Sequence, residues 1–472
     1  MSKPIKTLLL ILGAVFGLLL LAAVVLSLWL DLGPYKLRIE AAASEASGME
    51  VRIAGHIGVG FFPGLHVTLR DVQVRNRDTD LFTARKAQVG VDLRALLKQR
   101  VQVRTLALDA PRLNIERDRA GRFNFETDKP ETGPLPEFDL ASLSVSDATL
   151  RYTDQQTGRT VEAAACRLDT QDLHFAGGER ADAMKQLSLA ARLACDTVKT
   201  TGHAIADLKL ALAGRDGVYD LDPVTLRAFE GQGTGSLRAD FTGELPRMQL
   251  RYTLAQFRLD AALKSPSAQQ APQGTADFSA ELSMQGRTAK ALKQSLQGRL
   301  SLRGRDIVLH GVDLDETFDR FEASQTFNLV DVGAVFLAGP IGLAVTKGHD
   351  FASILKGLEG RSDIRTLVSD WTVARGVLHA QDVAIATNRH RVAMQGRLDL
   401  VNERFDGVTV ALVDARGCAK VQQKIRGSFA QPVIDKPSTL AALTGPVVRL
   451  FRQVVPGGKC ETFYAGSVAA PQ

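Results

Sequence analysis

The chain has 472 residues, a formal net charge of +6 and a pI near 9.1. Apolar residues make up 45% and charged residues 23%, a composition that excludes a largely disordered protein. The positive charge forms no Lys/Arg block interleaved with aromatic residues, so nucleic acid is excluded as the expected partner. The length predicts two or three domains, or one elongated domain.

An uncharged apolar segment runs from Leu8 to Leu30. Its 23 residues would make a helix about 34 Å long, enough to cross the roughly 30 Å of hydrocarbon in a bilayer. A cleavable signal is the alternative, but the segment exceeds a typical signal core and lacks a small-residue cleavage site at its end. We therefore expect a retained anchor. Because Lys3 and Lys6 precede it, we expect its N-terminus to be cytoplasmic and the body of the protein to be exported.

A short helix and a β-sheet are predicted next. Pro34 begins an Ala-rich segment that ends before Gly48, a pattern typical of a short helix. Alternating apolar residues then predict strands at 50–59, 65–75, 85–93, 101–108, 112–117 and 122–125. The alternation slips by one residue at Asp71, which indicates a β-bulge. We assign 1–30 to the cytoplasmic tip and anchor, and 31–128 to this helix-and-sheet region.

Thirteen residues of these strands are expected to point to one side of the sheet. They are Ile53, Ile57, Val59, Val67, Leu69, Val72, Val74, Val89, Val91, Leu106, Leu108, Leu113 and Ile115. Leaving all of them in water would forgo about 20 to 40 kcal/mol, more than the roughly 5 to 15 kcal/mol by which a domain is stable. The side must therefore be covered, and the preceding helix is wide enough for about half of it.

Two arrangements would cover this side. The sheet can close on itself as a sandwich or barrel, or it can stay open and be covered by the acyl chains of lipids. The adjacent membrane anchor favours the open arrangement, since a lipid could enter it from the bilayer without crossing water. We predict a mainly β fold with a few helices (α+β), in which an elongated, curled antiparallel sheet forms an apolar trough.

The rest of the chain is predicted to be mostly strand. We expect a Pro-rich linker at 128–139 and a middle β region at 138–263, with one helical candidate at 179–187. A flexible loop is expected at 264–274, and a C-terminal β/α region at 275–472. A hairpin is expected around a turn at 154–159. In the last region Asp313 is expected to cap a helix carrying Leu314, Phe318 and Phe321. Helical or irregular structure is expected at 332–346, 351–371 and 437–458, and strands at 376–387, 390–400 and 405–413.

The sequence contains no convincing catalytic, metal or cofactor motif. Ser353 and Lys356 match S-x-x-K without its companion motifs, and Gly231–Ser236 is interpreted as a turn. The eight histidines lack metal-ligand spacing. We expect no enzyme activity, although a hydrolase with two distant carboxylates stays open as a third hypothesis. The four cysteines, Cys166, Cys195, Cys418 and Cys460, suggest disulfides in an exported chain, and neighbouring pairs are the simplest of three connectivities.

The anchor, the short helix and "VRIAGHIGVGFFPGLHVTLRDVQVRN" (51–76), in that order, resemble the AsmA family of Gram-negative envelope proteins. The segments "GVDLDETF", "IRTLVSDWTV" and "GGKCETFYAGSV" of the carboxyl half are similar to that family as well. The resemblance implies an inner-membrane anchor, a periplasmic body and a role in outer-membrane biogenesis. It also implies kinship with chorein-type bridge proteins, whose β-groove conducts phospholipid, and a Cys418–Cys460 disulfide.

From the uncovered apolar side of the sheet, together with this resemblance, we expect that the chain binds or conducts phospholipid along its apolar residues. Its expected partners are membrane phospholipid, the inner membrane and other envelope proteins. A structural or assembly factor for outer-membrane proteins, which would need no lipid, is the alternative. The resemblance supplies no catalytic residue.

Overall fold

The computed structural model describes residues 36–61, 64–77, 79–92, 102–126, 137–179, 182–263, 272–310, 313–316, 318–319, 360–435, 438–439 and 460–471. The anchor between Leu8 and Leu30 and the helical or irregular predictions at 332–346 and 351–359 lie outside these residues. Of the predicted helix 437–458 only Ser438–Thr439 are described, and they form a short strand instead. Within them, no helix combines the length and the hydropathy that a membrane span requires. The chain divides into two compact units, unit 1 (1–221) and unit 2 (222–472). The four sequence regions proposed above stay a prediction.

Unit 1 contains ten complete strands and two helices among its described residues. In chain order they are α1 (Lys36–Ser47), β1 (Glu50–Ile53), β2 (Ile57–Gly60), β3 (His66–Asn76), β4 (Thr79–Val91), β5 (Val103–Asp109), β6 (Arg112–Arg117), β7 (Phe138–Asp154), β8 (Arg159–Phe175), α2 (Ala183–Gln186), β9 (Leu187–Thr200) and β10 (His203–Arg215). Strand β11 (Val218–Ala228) crosses the boundary between the units.

Most strands of unit 1 pair with their neighbours in the sequence. Both β1 and β2 pair with β3, β3 pairs with β4, and β4 pairs with β5 and β6, all antiparallel. Strands β7 to β10 form successive antiparallel pairs. The prediction of a wholly antiparallel sheet is wrong at one place, because β7 pairs parallel with both β5 and β6. The chain between β6 and β7, residues 118–137, is long enough to return to the starting end of the sheet, which a parallel neighbour requires.

Other predictions for unit 1 are largely confirmed. The helix and the hairpin of β7 and β8 are present. Asp71 has φ +54°, which is a backbone irregularity at the predicted position, but the register shift between β3 and β4 lies at Val74 and Arg75. The predicted strand 50–59 is instead two strands, and 122–125 forms only an isolated bridge between Arg117 and Phe123. The helical candidate 179–187 shortens to α2.

Unit 2 is a second run of consecutive antiparallel strands. Its complete elements are β12 (Gly231–Asp240), β13 (Arg247–Arg258), α3 (Leu259–Ala262), β14 (Gln273–Gln285), α4 (Ala289–Ser295), β15 (Gln297–His310), β16 (Arg361–Ala374), β17 (Val377–Ala386), β18 (Arg391–Asp399), β19 (Arg404–Val413), β20 (Ala419–Ser428), β21 (Gln431–Ile434) and β22 (Ser438–Thr439). Each strand from β12 to β20 pairs with the next, and β20 also pairs with β21 and β22.

Two predictions for unit 2 are wrong. Residues 364–371, expected to be helical or irregular, lie in β16, where Leu367 and Val368 are both buried. A strand buried on both sides loses the apolar–polar alternation that would identify it. Residues 231–236, interpreted as a turn, begin β12. Gly233 and Gly235 make room there for Tyr252, since an added Cβ would come within 2.4 Å and 3.0 Å of its side chain.

Other expectations for unit 2 hold. The predicted strands 376–387, 390–400 and 405–413 correspond to β17, β18 and β19. Asp313 caps the following helical turn, because its carboxylate accepts a hydrogen bond from the Glu316 amide at 2.9 Å. Leu314 and Phe318 are buried, whereas Phe321 lies outside the described residues.

The C-terminal segment, residues 460–471, packs on β16 to β19. Tyr464 and Val468 join a cluster with Val368, Ala384 and Ala411. A disulfide ties Cys460 to Cys418, with 6.0 Å between their Cα atoms. The segment therefore closes one side of the unit 2 core.

Polar groups hold the C-terminal segment in place, and Arg391 among them is buried. The Arg391 guanidinium donates to the Val468 carbonyl at 2.8 Å and lies over the Tyr464 ring at 5.2 Å. The Asp382 carboxylate accepts hydrogen bonds from Tyr464 Oη at 2.5 Å and from Ser467 Oγ at 2.6 Å. Burial alone would raise the pKa of Asp382, but the hydrogen bonds from Ser467 and Tyr464 outweigh it and lower the pKa.

Candidate functional site on the apolar face of unit 1

The strand registers of unit 1 bring apolar residues together in rows that cross the sheet. Row 1 consists of Ile57, Leu69, Ala87, Leu108, Val145, Leu168, Leu193 and Leu210. Row 2, two residues along each strand, consists of Val59, Val67, Val89, Leu106, Leu143, Thr170, Ala191 and Leu212. Because side chains two residues apart point to the same side of a strand, both rows belong to one face. Each row crosses eight strands.

Thr170 is the one polar member of these two rows. It is buried, and its Oγ1 accepts a hydrogen bond from the Leu143 amide at 3.1 Å. The hydroxyl is therefore satisfied by the backbone of the neighbouring strand. The face keeps its apolar character at this position, because the hydroxyl is already hydrogen-bonded and the rest of the side chain is a methyl group.

A third row continues the face towards the other ends of the strands. Row 3 consists of Val74, Phe82, Leu113, Leu150, Ala163, Val198 and Ile205. Between row 1 and row 3, Asp71, Asp147, Ala165 and Asp207 have φ between +51° and +54°. Each of these residues interrupts the regular alternation of its strand, and on that basis we assign row 3 to the same face as row 1. Rows 1 to 3 together are the apolar face.

The structure places the thirteen sequence-predicted residues on or next to this face. Nine belong to rows 1 to 3. Of the other four, Val72, Val91 and Ile115 lie two residues along a strand from a row member, and Ile53 is the register partner of Val72. Ile53, Ile57 and Val72 are buried, with 1%, 6% and 8% of their surface exposed, and the other ten are partly accessible. The described part of the chain therefore leaves most of the predicted face only partly covered.

Helix α1 does not lie across the apolar face but follows the edge strand β1. Glu40 Oε1 accepts from the Ile53 amide at 2.7 Å, and Ser44 Oγ accepts from the Val51 amide at 2.9 Å. At the start of the helix, Lys36 Nζ donates to the Gly55 carbonyl at 3.3 Å. The helix thus satisfies backbone groups that an edge strand would otherwise leave unpaired. We expected this helix to cover about half of the sheet, but these contacts place it along the edge strand instead.

The opposite side of the same strands is polar. Lys86, Asp109 and Ser146 are register partners there, and Arg167 and Asp169 lie beside them. These residues border a shallow depression of about 370 Å³. Arg85 donates to the Asp109 carboxylate at 2.8 Å, and this hydrogen bond lowers the pKa of Asp109. The sheet of unit 1 therefore has one apolar and one hydrogen-bonding side.

Sequence reasoning missed the continuation of the face onto β7 to β10, which adds Leu143, Val145, Leu168, Leu193 and Leu210. The signal was present, because "LSVSDATLRYTD" repeats the pattern of "LHVTLRDVQVRNRD" in β3. The Cys166–Cys195 disulfide also belongs to this face. These two residues are direct register partners with Cα atoms 4.0 Å apart, and both are buried.

Unit 2 has an apolar face of its own. Leu237, Leu250 and Leu282 are successive register partners on β12, β13 and β14, and all three are partly accessible. At β17 and β18 the corresponding residues Leu378 and Leu398 are fully buried. Accessibility therefore falls from the first strands of this unit towards its core.

No cluster of His, Cys, Asp and Glu that could hold a metal ion occurs among the residues for which the structure gives positions. His390 is the buried histidine of the described set, and its Nε2 lies 2.9 Å from Asp319 Oδ1. This pair joins the helical turn at 313–319 to the start of β18. His390 therefore has a structural partner.

Comparison with known proteins gives one match. The sequence model of the AsmA family matches residues 1–180 and again residues 172–332. Together the two matches cover more than two thirds of the 472 residues and include every strand of the apolar face. Searches among curated proteins and among solved structures found no significant match.

Proposed function

Because the chain belongs to the AsmA family, we propose that it binds phospholipid on the apolar face of unit 1 and serves outer-membrane biogenesis. In this proposal the segment Leu8–Leu30 anchors the protein in the inner membrane and the two units are periplasmic. The disulfides Cys166–Cys195 and Cys418–Cys460 support the exported location, since such bonds persist in oxidising compartments.

The partial accessibility of the apolar face carries the proposal. Rows 1 and 2 continue across eight strands, and their leucines and valines stay partly accessible on β3, β5, β7 and β8. A contiguous accessible apolar surface is characteristic of a binding site, because leaving it in water costs about 25 cal/mol per Å². Acyl chains match this surface in chemistry, and they need no hydrogen-bonding partner on it.

The proposed mechanism is passive and breaks no covalent bond. Strands are about 4.8 Å apart, so a row that crosses eight strands is about 34 Å long. One leaflet of a bilayer has a hydrocarbon depth of about 15 Å, so a row can accommodate about two acyl chains end to end. Acyl chains slide along the rows while head groups stay in water. Conduction between membranes, as distinct from binding, rests on the kinship with chorein-type bridge proteins that the sequence resemblance implies.

Photo-crosslinking tests the proposal. A photoreactive phenylalanine analogue replaces Leu168 on the apolar face or, as the matched control, Arg167 on the opposite side of the same strand. The full chain is irradiated in its native membrane, purified, and examined by mass spectrometry for attached phospholipid. We expect phospholipid adducts at Leu168 and few at Arg167.

Equal or absent adducts at the two positions would overturn the proposal. Adducts to envelope proteins at Leu168, with no lipid, would favour the structural or assembly role. Native mass spectrometry of the wild-type chain in detergent gives an independent readout, since co-purified phospholipid is expected.

A further inference from the structure

The first strands of unit 2 carry an accessible apolar patch. It consists of Leu237, Met248, Leu250, Tyr252, Leu282 and Met284, and we call it the unit 2 patch. Leu237, Leu250 and Leu282 are successive register partners on β12, β13 and β14, and Met248 pairs with Met284. Because residues two apart along a strand point to the same side, all six side chains lie on one side of the sheet. Each of them is partly accessible.

Buried residues bound the unit 2 patch on the side of β16. Across the sheet from Tyr252, the successive register partners are Ala280, Leu300 and Trp371. Trp371 has 2% of its surface exposed, and Val373, two residues along β16, has 4%. The accessible surface therefore ends at β16, where the core of unit 2 begins.

Tyr252 brings a polar group into the unit 2 patch. Its ring extends over β12, where glycines leave room for it. A Cβ added at Gly233 would collide with Tyr252 Oη and would come within 2.8 Å of Leu226 Cδ1, and a Cβ added at Gly235 would come within 3.0 Å of the Tyr252 ring. The hydroxyl is therefore held at one place on the sheet, next to an apolar side chain.

Among the residues that the structure describes, the Tyr252 hydroxyl has no hydrogen-bond partner. Burial alone raises the pKa of Tyr252, without a contribution from a hydrogen bond or a nearby charge. Two other tyrosines differ: Tyr219 Oη bonds to the Met184 carbonyl at 2.7 Å, and Tyr464 Oη bonds to the Asp382 carboxylate at 2.5 Å. Partly buried tyrosine hydroxyls usually have such a partner, so the Tyr252 hydroxyl is a donor that a ligand can use.

One hydrogen-bond donor in an apolar patch matches the part of a phospholipid where the acyl chains meet the head group. The ester carbonyl at the end of each chain is an acceptor, and tyrosine favours this boundary because its ring is apolar and its hydroxyl is polar. The six residues of the patch carry no charge, so they offer no partner to the phosphate. Met248 and Met284 have flexible thioether side chains, which adapt to the shape of a bound chain.

We propose that the unit 2 patch is a second phospholipid site, in which an acyl chain covers the leucines and Tyr252 Oη donates a hydrogen bond to the ester carbonyl. The inference rests on the proposed function for the class of ligand, but it concerns residues separate from rows 1 to 3. The site favours ester-linked over ether-linked chains, because an ether linkage lacks the carbonyl. The bound chain ends at Trp371.

Photolabelling with two forms of one lipid tests the inference. A phosphatidylethanolamine with a photoreactive diazirine in one chain is prepared in an ester-linked and an ether-linked form. Each form is added below saturation to the full chain in detergent and irradiated. Mass spectrometry of peptides then measures adducts on β12 to β14 and, separately, on the strands of unit 1.

Two variants that each lose one hydroxyl are compared with the wild type. Tyr252→Phe removes the proposed donor and keeps the ring over Gly235. Ser283→Ala is the matched control, because Ser283 is exposed on the opposite side of β14, between Leu282 and Met284. Circular dichroism checks that both variants keep their strand content.

We expect Tyr252→Phe to lower the yield of ester-linked adducts on β12 to β14 about fivefold, as the loss of one hydrogen bond implies. Ser283→Ala should leave this yield unchanged. The ether-linked lipid should label these strands weakly, and equally in the wild type and in Tyr252→Phe. An unchanged ester-linked yield in Tyr252→Phe, or an equal loss with both lipids, would overturn the inference.

The position of the adducts separates the two proposed lipid sites. Adducts on unit 1 without adducts on β12 to β14 would refute the second site and leave the proposed function in place. Adducts on β12 to β14 without adducts on unit 1 would refute the site on rows 1 to 3 alone.

Discussion

Replacing Val145 by Gln changes the centre of the apolar face by one side chain. Val145 lies on β7 between its register partners Leu108 and Leu168, and it is partly accessible. If acyl chains cover this position, the substitution forgoes about 1.5 kcal/mol of apolar burial. Removing the new carboxamide from water costs about 1 kcal/mol more. The sum of about 2.5 kcal/mol corresponds to an affinity for lipid lowered about 60-fold.

The adjacent residue provides the control. Ser144 is exposed on the polar side of the same strand, so Ser144→Gln adds the same side chain where water already surrounds it. A surface substitution of this kind changes free energies by about 0.5 kcal/mol or less, which is about twofold in affinity. Titration of a fluorescent phospholipid into the full chain in detergent measures both variants. Equal affinities for Val145→Gln and Ser144→Gln, with both chains folded, would refute the reasoning.

Three further predictions concern stability. Arg391→Ala removes the donor to the carbonyl of Val468 in the C-terminal segment and to that of Asp414. We therefore expect the free energy of unfolding to fall by about 3 kcal/mol and proteolysis of residues 460–471 to become faster. Replacing both Cys166 and Cys195 by Ser removes a disulfide whose cysteines are separated by 29 residues in sequence, and this should lower the free energy of unfolding by about 3 to 4 kcal/mol. Hydrogen exchange in β8 and β9 measures the loss, and unchanged protection in these strands would contradict the prediction. The pKa of Asp382 is lowered in the folded state, so its ionised carboxylate stabilises the fold. This stabilisation is complete at pH values above the ordinary pKa of 3.8, and it is lost as the pH falls through the lower pKa of the folded state. Protection of 460–471 from hydrogen exchange, taken relative to the intrinsic exchange rate at each pH, should therefore fall at acid pH in the wild type, and Asp382→Asn should remove that pH dependence.

The amino-terminal part of the sheet could be predicted from the sequence because only one of its sides is apolar. Alternation along β3 identifies Val67, Leu69, Val72 and Val74 as neighbours on one face, and it identifies the irregularity at Asp71 as well. These are local properties that each strand carries in its own residues. The hydrogen bonds of α1 to the edge strand were not predictable in the same way, since they depend on where the helix docks.

The remaining parts of the face depend on pairing between distant strands. The return of β7 to β5 and β6 is parallel, and no local pattern specifies which strand a long connection will meet. The Pro-rich stretch at 128–139 was therefore interpreted as a boundary, although the sheet continues after it. In unit 2, burial of Leu367 and Val368 together removed the alternation that identifies a strand.

The successive antiparallel pairing of β7, β8, β9 and β10 has an evolutionary consequence. Inserting a single residue in one of these strands would rotate its remaining side chains to the wrong side, and every neighbour would then be mismatched. Inserting two complete strands at a turn replaces one pair by three new ones, leaves every other pair in register, and widens the sheet by about 10 Å. Length variation among related chains should therefore occur in multiples of whole hairpins, so the span of such a protein can change in steps without redesign of its ends.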